Sequence, residues 1–263
     1  MQANPLRFAN FLAFNVNPTY AAISAEIERV LGVPTSFEEG QTFEQFWRDE
    51  IDVGYVCGLP YSKFSDLDEA PFELLVAPVL VGTRYAGQAV YFSDVIVHRD
   101  SPFQTFDDLR GCTFTYNEGV SYSGYHVVAY HLAEQQRNWY FFGSRIQSGA
   151  HLKSIAAVAS GQADTAAIDS HALDAEFLLD PTLRDKIRVI DMIGPSPIPP
   201  VVVGRRVSAE LKAKLRQIYL ELHQYPALQP MLEAGCIERF CDVDDAYYDT
   251  IRARVDMTHI NFC

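Results

Sequence analysis

Short apolar runs alternate with an amphipathic stretch over the first third of the chain. The apolar runs are residues 6–11, 52–57 and 72–81, and residues 20–31 have apolar side chains at helical spacing followed by Gly32. Such apolar runs predict buried strands, and the amphipathic stretch ending at glycine predicts a helix with a left-handed C-terminus. The order strand, helix, strand therefore predicts an α/β unit with a parallel sheet.

A second series with the same alternation follows. Its predicted strands are residues 91–98, 112–116 and 165–169, and its predicted helices are residues 121–137 and 151–160. Further along, residues 187–192 and 200–203 are predicted strands, residues 208–223 are a predicted helix, and a last helix is predicted from Val243. The strand-helix pattern thus repeats over most of the chain.

Two segments rich in glycine or proline bracket the middle series. The first runs from Gly82 to Gly87, and the second, residues 194–200, is mostly proline. Such segments mark chain crossings, so we expect lobe 2, residues 87–199, to be inserted into lobe 1, residues 1–86 and 200–263. The crossings are expected near residues 86–91 and 195–200. Two lobes joined in this way form a cleft that closes by hinge motion.

The chain carries a formal net charge of −13. Such a field repels polyphosphate backbones and acidic lipid headgroups, so neither a nucleic-acid partner nor an anionic membrane surface is expected. A small anion is still compatible with this charge, because backbone N–H groups at a helix N-terminus create a local positive potential. No apolar run approaches the ~20 residues that span a bilayer, so no membrane insertion is expected.

The amino-terminal residues and the cysteines bear on the cellular compartment. Residues 1–8 contain neither a basic region nor an unbroken apolar run, so they predict no export signal. The five cysteines form no dense framework, so reduced thiols are the simpler expectation for Cys57, Cys112, Cys236, Cys241 and Cys263, and one surface disulfide is the alternative.

A strand, a turn and a helix follow one another around residues 112–137. Ser121 and Ser123 fall in the first helical turn, where N–H groups without intrahelical partners and the helix dipole favour an anion. Gly124 permits close approach of a ligand to the backbone. The alternative interpretation is that Ser121 is an ordinary N-cap.

A serine nucleophile is a further alternative, because Ser121 precedes Asp169 and His171 in the chain order of α/β-hydrolases. The nucleophile elbow requires Gly-x-Ser-x-Gly, whereas Ser123 occupies the position of the second glycine. Hydrolase chemistry is therefore disfavoured. The sequence also lacks a phosphate-binding loop, a dinucleotide fingerprint and metal-ligand spacing, so no cofactor and no metal are expected.

Several segments resemble, in the same order, the phosphonate and phosphate substrate-binding proteins of ABC importers, the PhnD-like group. Ser121-Tyr122-Ser123-Gly124 is similar to the Ser-Thr-Ser-Gly anion clamp of that family. The other similar segments are residues 52–55, 91–101, 106–111, 149–154, 157–158 and 161–164. The resemblance covers most of the chain.

The resemblance implies the α/β, two-lobed type II periplasmic binding-protein fold. Each lobe is then a mixed, mostly parallel sheet flanked by helices, with a cleft between the lobes. It also implies that Ser121, Tyr122 and Ser123 hold a small oxyanion, while His151 and Tyr91 donate hydrogen bonds to it. A neutral histidine can donate from one ring nitrogen. Without the resemblance, structural roles would be the ordinary interpretation of His151 and Tyr91.

Some residues differ from the family pattern or allow two interpretations. Tyr122 replaces the usual threonine by a phenol, which is expected to narrow the pocket or to stack on the ligand. Asp169 is the candidate partner of a cationic ligand tail, or else the cap of a helix from Ser170. His171 falls where the ligand tail is expected. Tyr55, at the end of a first-lobe strand, is expected to line the cleft.

The sequence therefore predicts a monomeric, non-catalytic protein that captures a phosphonate, phosphate or related oxyanion for an ABC importer permease. The family resemblance indicates the periplasm, and because no signal peptide is recognised in this sequence, the cytoplasm stays open as the alternative. Two alternatives stay open. One is a cytosolic enzyme on the same fold, similar to menaquinone-pathway proteins and using His151 or Asp169, and the other is a ligand sensor.

Overall fold

The computed structural model describes residues 5–261, which divide into two compact units. Unit 1 contains the chain up to Val90 together with Pro197–Asp249, and unit 2 contains Tyr91–Ser196 together with the chain from Thr250 onward. The first two division points lie within the segments 86–91 and 195–200 that the sequence predicts as crossings.

The third division point differs from the predicted domain boundaries, which assigned all of residues 200–263 to lobe 1. The structure groups the chain from Thr250 with unit 2. One reason is visible at Arg254, whose guanidinium donates hydrogen bonds to Tyr122 and Ser196 of unit 2.

The strands and helices have the following bounds. The strands are β1 (Leu6–Asn10), β2 (Thr35–Glu39), β3 (Val53–Tyr55), β4 (Phe72–Leu80), β5 (Val90–His98), β6 (Thr113–Tyr116), β7 (Ser144–Gln147), β8 (Thr165–Asp169), β9 (Ile187–Pro197), β10 (Val201–Gly204) and β11 (Ile237–Cys241). The α-helices are α1 (Asn17–Leu31), α2 (Glu44–Trp47), α3 (Gly58–Ser65), α4 (Val127–Glu134), α5 (His151–Ala159), α6 (Ser170–Leu179), α7 (Ala209–Glu221), α8 (Gln229–Ala234) and α9 (Asp249–Asn261).

Unit 1 is built on a mixed sheet whose described strands have the order β11-β4-β10-β3-β1-β2. β1 pairs in parallel with β2 and β3, whereas β10 and β11 are antiparallel to β4. The predicted first helix is α1. It has Pro18 in its first turn, where the missing N–H costs little, and it ends at Gly32 with a φ of 67°.

Tyr55, the last residue of β3, lies in the core of unit 1. Its ring stacks on Tyr20 of α1 with 3.7 Å between ring centroids, and its hydroxyl oxygen is 2.8 Å from that of Tyr219 on α7. All three side chains are almost completely buried. These contacts join the sheet of unit 1 to two of its helices.

Unit 2 is built on a second mixed sheet, in which the described strands have the order β7-β6-β8-β5-β9. β6 is parallel to both β7 and β8, whereas β5 is antiparallel to β8. Buried side chains of β5, β8, α5 and α6 form a shared core, which includes Ile96, Ile155, Val158, Ala166, Ile168, Leu173 and Phe177. This packing fixes α5 and α6 against the sheet.

Over the described residues, no helix combines the length and apolar character needed to cross a membrane. Cys57, Cys112, Cys236 and Cys241 form no disulfide within the described part of the chain, and Cys263 lies outside it.

The Tyr55–Tyr219 hydroxyl pair predicts a non-additive loss of stability. Tyr219→Phe leaves the buried Tyr55 hydroxyl without this partner and should lower the free energy of unfolding by about 1–3 kcal/mol in urea denaturation. Tyr55→Phe combined with Tyr219→Phe should cost less than the sum of the single changes, because no polar group is then left behind. Tyr140→Phe, at a tyrosine that is 93% exposed, is the control and should be neutral. Additive losses would contradict the hydrogen bond.

Candidate functional site

Three helices of unit 2 begin at the same edge of its sheet. The chain passes from β6 towards α4, from β7 into α5 and from β8 into α6. Because β7, β6 and β8 are adjacent and parallel, their carboxyl ends meet at one edge. Helix N-termini carry partial positive charge and N–H groups without intrahelical partners, so this edge suits an anion.

The helix after β6 opens with one wide turn of π-helix, Tyr122–His126, that continues into α4. Ser121 precedes it in extended conformation, and its Oγ accepts a hydrogen bond from the N–H of Gly124 at 3.1 Å. The N-cap interpretation of Ser121 is therefore correct as far as the hydrogen bond goes. The N–H groups of Tyr122 and Ser123 precede the first helical hydrogen bond, from His126 N to Ser121 O.

A hydrogen-bonded cluster links this turn to α5. His151 is the first residue of α5, and its Nε2 lies 3.2 Å from Ser123 Oγ and 3.3 Å from Asn117 Nδ2. Asn117 directly follows β6. One imidazole nitrogen thus joins a strand end and two helix starts.

The ring of His151 is neutral in the folded protein. Burial lowers the pKa of His151 to about 4. Since the amide nitrogen of Asn117 can only donate, Nε2 accepts and the ring hydrogen resides on Nδ1. Nδ1 is buried and has no hydrogen-bond partner among the described residues. A buried N–H group without a hydrogen-bond partner costs about 1–3 kcal/mol, so an acceptor that reaches Nδ1 of His151 gains this free energy.

The start of α5 also lacks a side-chain cap. Ala150 is its N-cap residue, and the first helical hydrogen bond runs from Ser154 N to Ala150 O. The N–H groups of His151, Leu152 and Lys153 therefore precede that bond. This helix start offers backbone donors next to the ring of His151.

Gly124 allows the cluster to pack closely. A Cβ at Gly124 would lie 2.0 Å from Asn117 Oδ1 and 3.3 Å from His151 Cε1. The packing of Asn117 and His151 around this position is therefore enough to require glycine, whether or not a ligand approaches the backbone.

The third helix start is closed by Asp169. Its carboxylate accepts from the N–H of His171 at 2.8 Å and from the N–H of Ala172 at 3.4 Å, so it caps α6. Burial, with a smaller contribution from nearby Asp94, raises the pKa of Asp169 to about 7. The alternative in which Asp169 caps a helix from Ser170 is therefore what the structure contains, and His171 is buried in the first turn of that helix.

The predicted residues Tyr91, Tyr122 and Tyr55 are all buried. Tyr91 lies on β5, next to Phe92, whose N–H donates to Ser170 Oγ at the start of α6. The hydroxyl of Tyr122 accepts a hydrogen bond from Arg254 at 3.1 Å, so its phenol is engaged with α9. Tyr55 belongs to the core of unit 1.

Three residues of this region did not figure in the sequence prediction. Asn117 could have been suspected, because it directly follows a predicted strand that leads into the anion turn. Ser196 and Arg254 carry no signal in the sequence, since they lie far along the chain from Tyr122. No cluster of three or more metal-ligating side chains is found in the part of the chain that the structure describes.

A family model and a relative from Escherichia coli both concern phosphonate-binding proteins. The family model described as "ABC transporter, phosphonate, periplasmic substrate-binding protein" matches residues 12–248. The phosphonates-binding periplasmic protein of Escherichia coli (strain K12) is 23% identical over 235 residues, which are 83% of this chain and 65% of that protein. The chain thus matches slightly less than two thirds of the length of this relative.

Two solved structures have the same fold. A binding protein component of an ABC phosphonate transporter from Pseudomonas aeruginosa superimposes with a TM-score of 0.84 at 19% identity, over 98% of this chain and 88% of the other. PhnD1 from Prochlorococcus marinus (MIT 9301), in complex with methylphosphonate, has a TM-score of 0.83 at 15% identity, over 97% and 98% of the two chains. The predicted α/β fold class is confirmed.

His151 and Asp169 make stability depend on pH in opposite directions. The pKa of His151 falls from 6.5 to about 4 on folding, so the unfolded chain binds the proton first and folding weakens as pH falls from 6.5 to about 4. The pKa of Asp169 rises from 3.8 to about 7, so its contribution weakens folding as pH rises from 3.8 to about 7.

Two variants that replace these titratable side chains by uncharged amides should separate the two effects. Relative to the wild type, His151→Gln should gain stability as pH falls from 7 to 4, and Asp169→Asn should gain stability as pH rises over the same range. The difference in free energy of unfolding between each variant and the wild type should change by at most ~1.4 kcal/mol per pH unit. Urea denaturation at steps of half a pH unit measures both, and curves parallel to the wild type would contradict the burial of these groups.

Gly124→Ala should destabilise the protein, because the added methyl group meets the amide of Asn117. Overpacking of this kind costs about 1–3 kcal/mol, measurable as a lower urea midpoint. Gly119→Ala, in the same turn, is the matched control, since nothing lies within 4 Å of its added Cβ. Equal losses in the two variants would contradict the close packing at Gly124.

Proposed function

This chain belongs to the family of periplasmic substrate-binding proteins of phosphonate ABC transporters, and on that basis we propose that it binds a phosphonate, phosphate or related oxyanion at the helix starts of unit 2. The observation that carries the proposal is the cluster of Ser123, Asn117 and His151, which joins two helix N-termini at one sheet edge. The protein delivers its ligand to an importer permease and catalyses no reaction.

The donors proposed for the oxyanion are neutral. They are the hydroxyl of Ser121, the hydroxyl of Ser123 once it turns from His151 Nε2 to the ligand, the backbone N–H groups of Tyr122 and Ser123, and the Nδ1–H of His151, with the Tyr91 hydroxyl supplied from β5. Neutral donors aimed by helix starts bind an anion without a cationic side chain, because the helix dipoles supply the positive potential. This explains how an acidic protein can take up an anion.

Selectivity within this ligand class rests on matching donors and acceptors. An analogue that leaves one buried polar group without a partner loses about 1–3 kcal/mol of binding free energy. Asp169 is the proposed contact for a cationic tail on the ligand. Such a cation would favour the ionised carboxylate and lower the raised pKa of Asp169.

Hydrolytic catalysis by the Ser123–His151 pair is disfavoured by the geometry. A serine nucleophile needs a histidine base that is held by a third group, usually a carboxylate, through its other ring nitrogen. Here Nδ1 of His151 has no such partner among the described residues, and a pKa of about 4 makes the ring a weak base. No specific observation favours the enzyme or the sensor alternative.

The cellular setting follows from the family. Members are periplasmic substrate-binding proteins of ABC transporters, so the proposed location is the periplasm and the proposed partner is a permease. A monomer suffices for this role, since the proposed donors all come from one chain.

Isothermal titration calorimetry against phosphate, phosphite, methylphosphonate, aminoethylphosphonate and sulfate tests the proposal. The wild type should bind at least one of these anions. Ser121→Ala, Ser123→Ala and His151→Gln should each weaken that binding roughly 10- to 100-fold, which corresponds to one lost hydrogen bond to a charged group.

Ser160→Ala is the matched control, because Ser160 lies at the opposite end of α5, where its hydroxyl donates to backbone oxygens. This variant should bind as the wild type does. The proposed function would be overturned if the wild type bound none of the five anions and if adding these anions left the unfolding curves of the variants unchanged.

A further inference from the structure

Arg254 on α9 reaches the residue at the centre of the Ser-Tyr-Ser-Gly turn. Its Nη1 lies within hydrogen-bond distance of three oxygens, which share its two hydrogens: the hydroxyl of Tyr122 at 3.1 Å, Ser196 Oγ at 2.9 Å and Pro195 O at 3.4 Å. All these residues belong to unit 2. One guanidinium nitrogen therefore connects α9, the end of β9 and the turn before α4.

The same guanidinium also lies over the ring of Tyr130, 5.1 Å from its centroid. Tyr130 is on α4, and its hydroxyl donates to Glu134 Oε1 at 2.7 Å. Cation–π contacts of this kind favour arginine because its planar group stacks on the ring. Arg254 thus contacts both the opening turn of the α4 segment and the body of that helix.

Tyr122 depends on this contact because its side chain is fully buried. A buried tyrosine hydroxyl needs a hydrogen-bond partner, and Arg254 and Ser196 lie within reach of it. The backbone of Tyr122 connects Ser121 to Ser123, so a displacement of its buried ring that is passed on to the backbone moves both neighbouring hydroxyls. The position of the phenol and the shape of the anion turn are therefore coupled.

We propose that Arg254 is a positioning residue for the oxyanion site, which it influences by holding Tyr122 and thereby the conformation of residues 121–124. The proposal rests on the proposed function of that turn. Arg254 acts through Tyr122 and is not assigned a contact with the ligand.

The experiment compares four variants by calorimetry with inorganic phosphate and methylphosphonate, and by thermal unfolding. Arg254→Met removes the charge and the hydrogen bonds, and it should weaken binding at least tenfold. Arg254→Lys keeps the positive charge and an N–H donor group but loses the planar geometry, so it should recover part of that affinity. Tyr122→Phe removes only the accepting hydroxyl, and combined with Arg254→Met it should weaken binding no further than Arg254→Met alone.

The matched control is Arg184→Met. Arg184 also lies over an aromatic ring of unit 2, with its guanidinium 4.0 Å from the centroid of Phe177. This variant should lose a few degrees of melting temperature while its affinity stays within twofold of the wild type. The control separates a general loss of stability from an effect on the anion turn.

The outcomes distinguish this proposal from the function on which it rests. If the wild type binds and the serine variants are impaired, while Arg254→Met or Arg254→Lys binds as the wild type does, only the role of Arg254 is overturned. The same conclusion follows if Arg184→Met and Arg254→Met lose affinity equally. If the wild type binds neither probe nor any anion of the wider panel, the proposed function fails and the role of Arg254 fails with it.

Discussion

The Nε2 atom of His151 is the point at which one strand end and two helix starts of unit 2 are joined. Two positive helix ends repel each other, so their neighbouring position at the sheet edge depends on direct contacts, here with Ser123 and Asn117. These contacts are uncharged. They hold the helix starts together without adding a carboxylate that would occupy the N–H groups, as Asp169 does at α6. The contrast between α5 and α6 distinguishes the end of the edge at which the anion is proposed to bind.

The local pattern was enough to predict the parts of unit 2 that carry the proposed site. The apolar strand before Asn117, the turn and the helix start at Ser121 all leave a periodic signal, as do α5 and β8. β7 was missed, because all four of its side chains are exposed and no apolar run marks it. A strand held mainly by its backbone pairing with β6 cannot be found from side-chain periodicity.

The roles of the aromatic residues could not be predicted from the sequence. Tyr55 and Tyr122 are both tyrosines, one at the end of a strand and the other in the turn after a strand. Nevertheless, Tyr55 contacts Tyr20 and Tyr219, whereas Tyr122 accepts a hydrogen bond from Arg254. Each partner lies on a helix remote in sequence, so only the tertiary structure distinguishes them. Separation along the chain also explains why the sequence assigned the chain from Thr250 to the other lobe. Helical periodicity predicts the helix but does not identify the unit to which it belongs.

The discontinuity of unit 2 has a consequence for biosynthesis. Tyr122 and Arg254 are separated by 132 positions, and the ribosome makes Pro197–Asp249 of unit 1 between the two parts of unit 2. The buried hydroxyl of Tyr122 therefore emerges long before Arg254, the nearer of its two donors, exists, and contacts of such high sequence separation form late and slowly. Unit 2 cannot reach its final hydrogen bonding by vectorial folding from the amino end. Its completion is a late folding event that follows synthesis of the whole intervening segment.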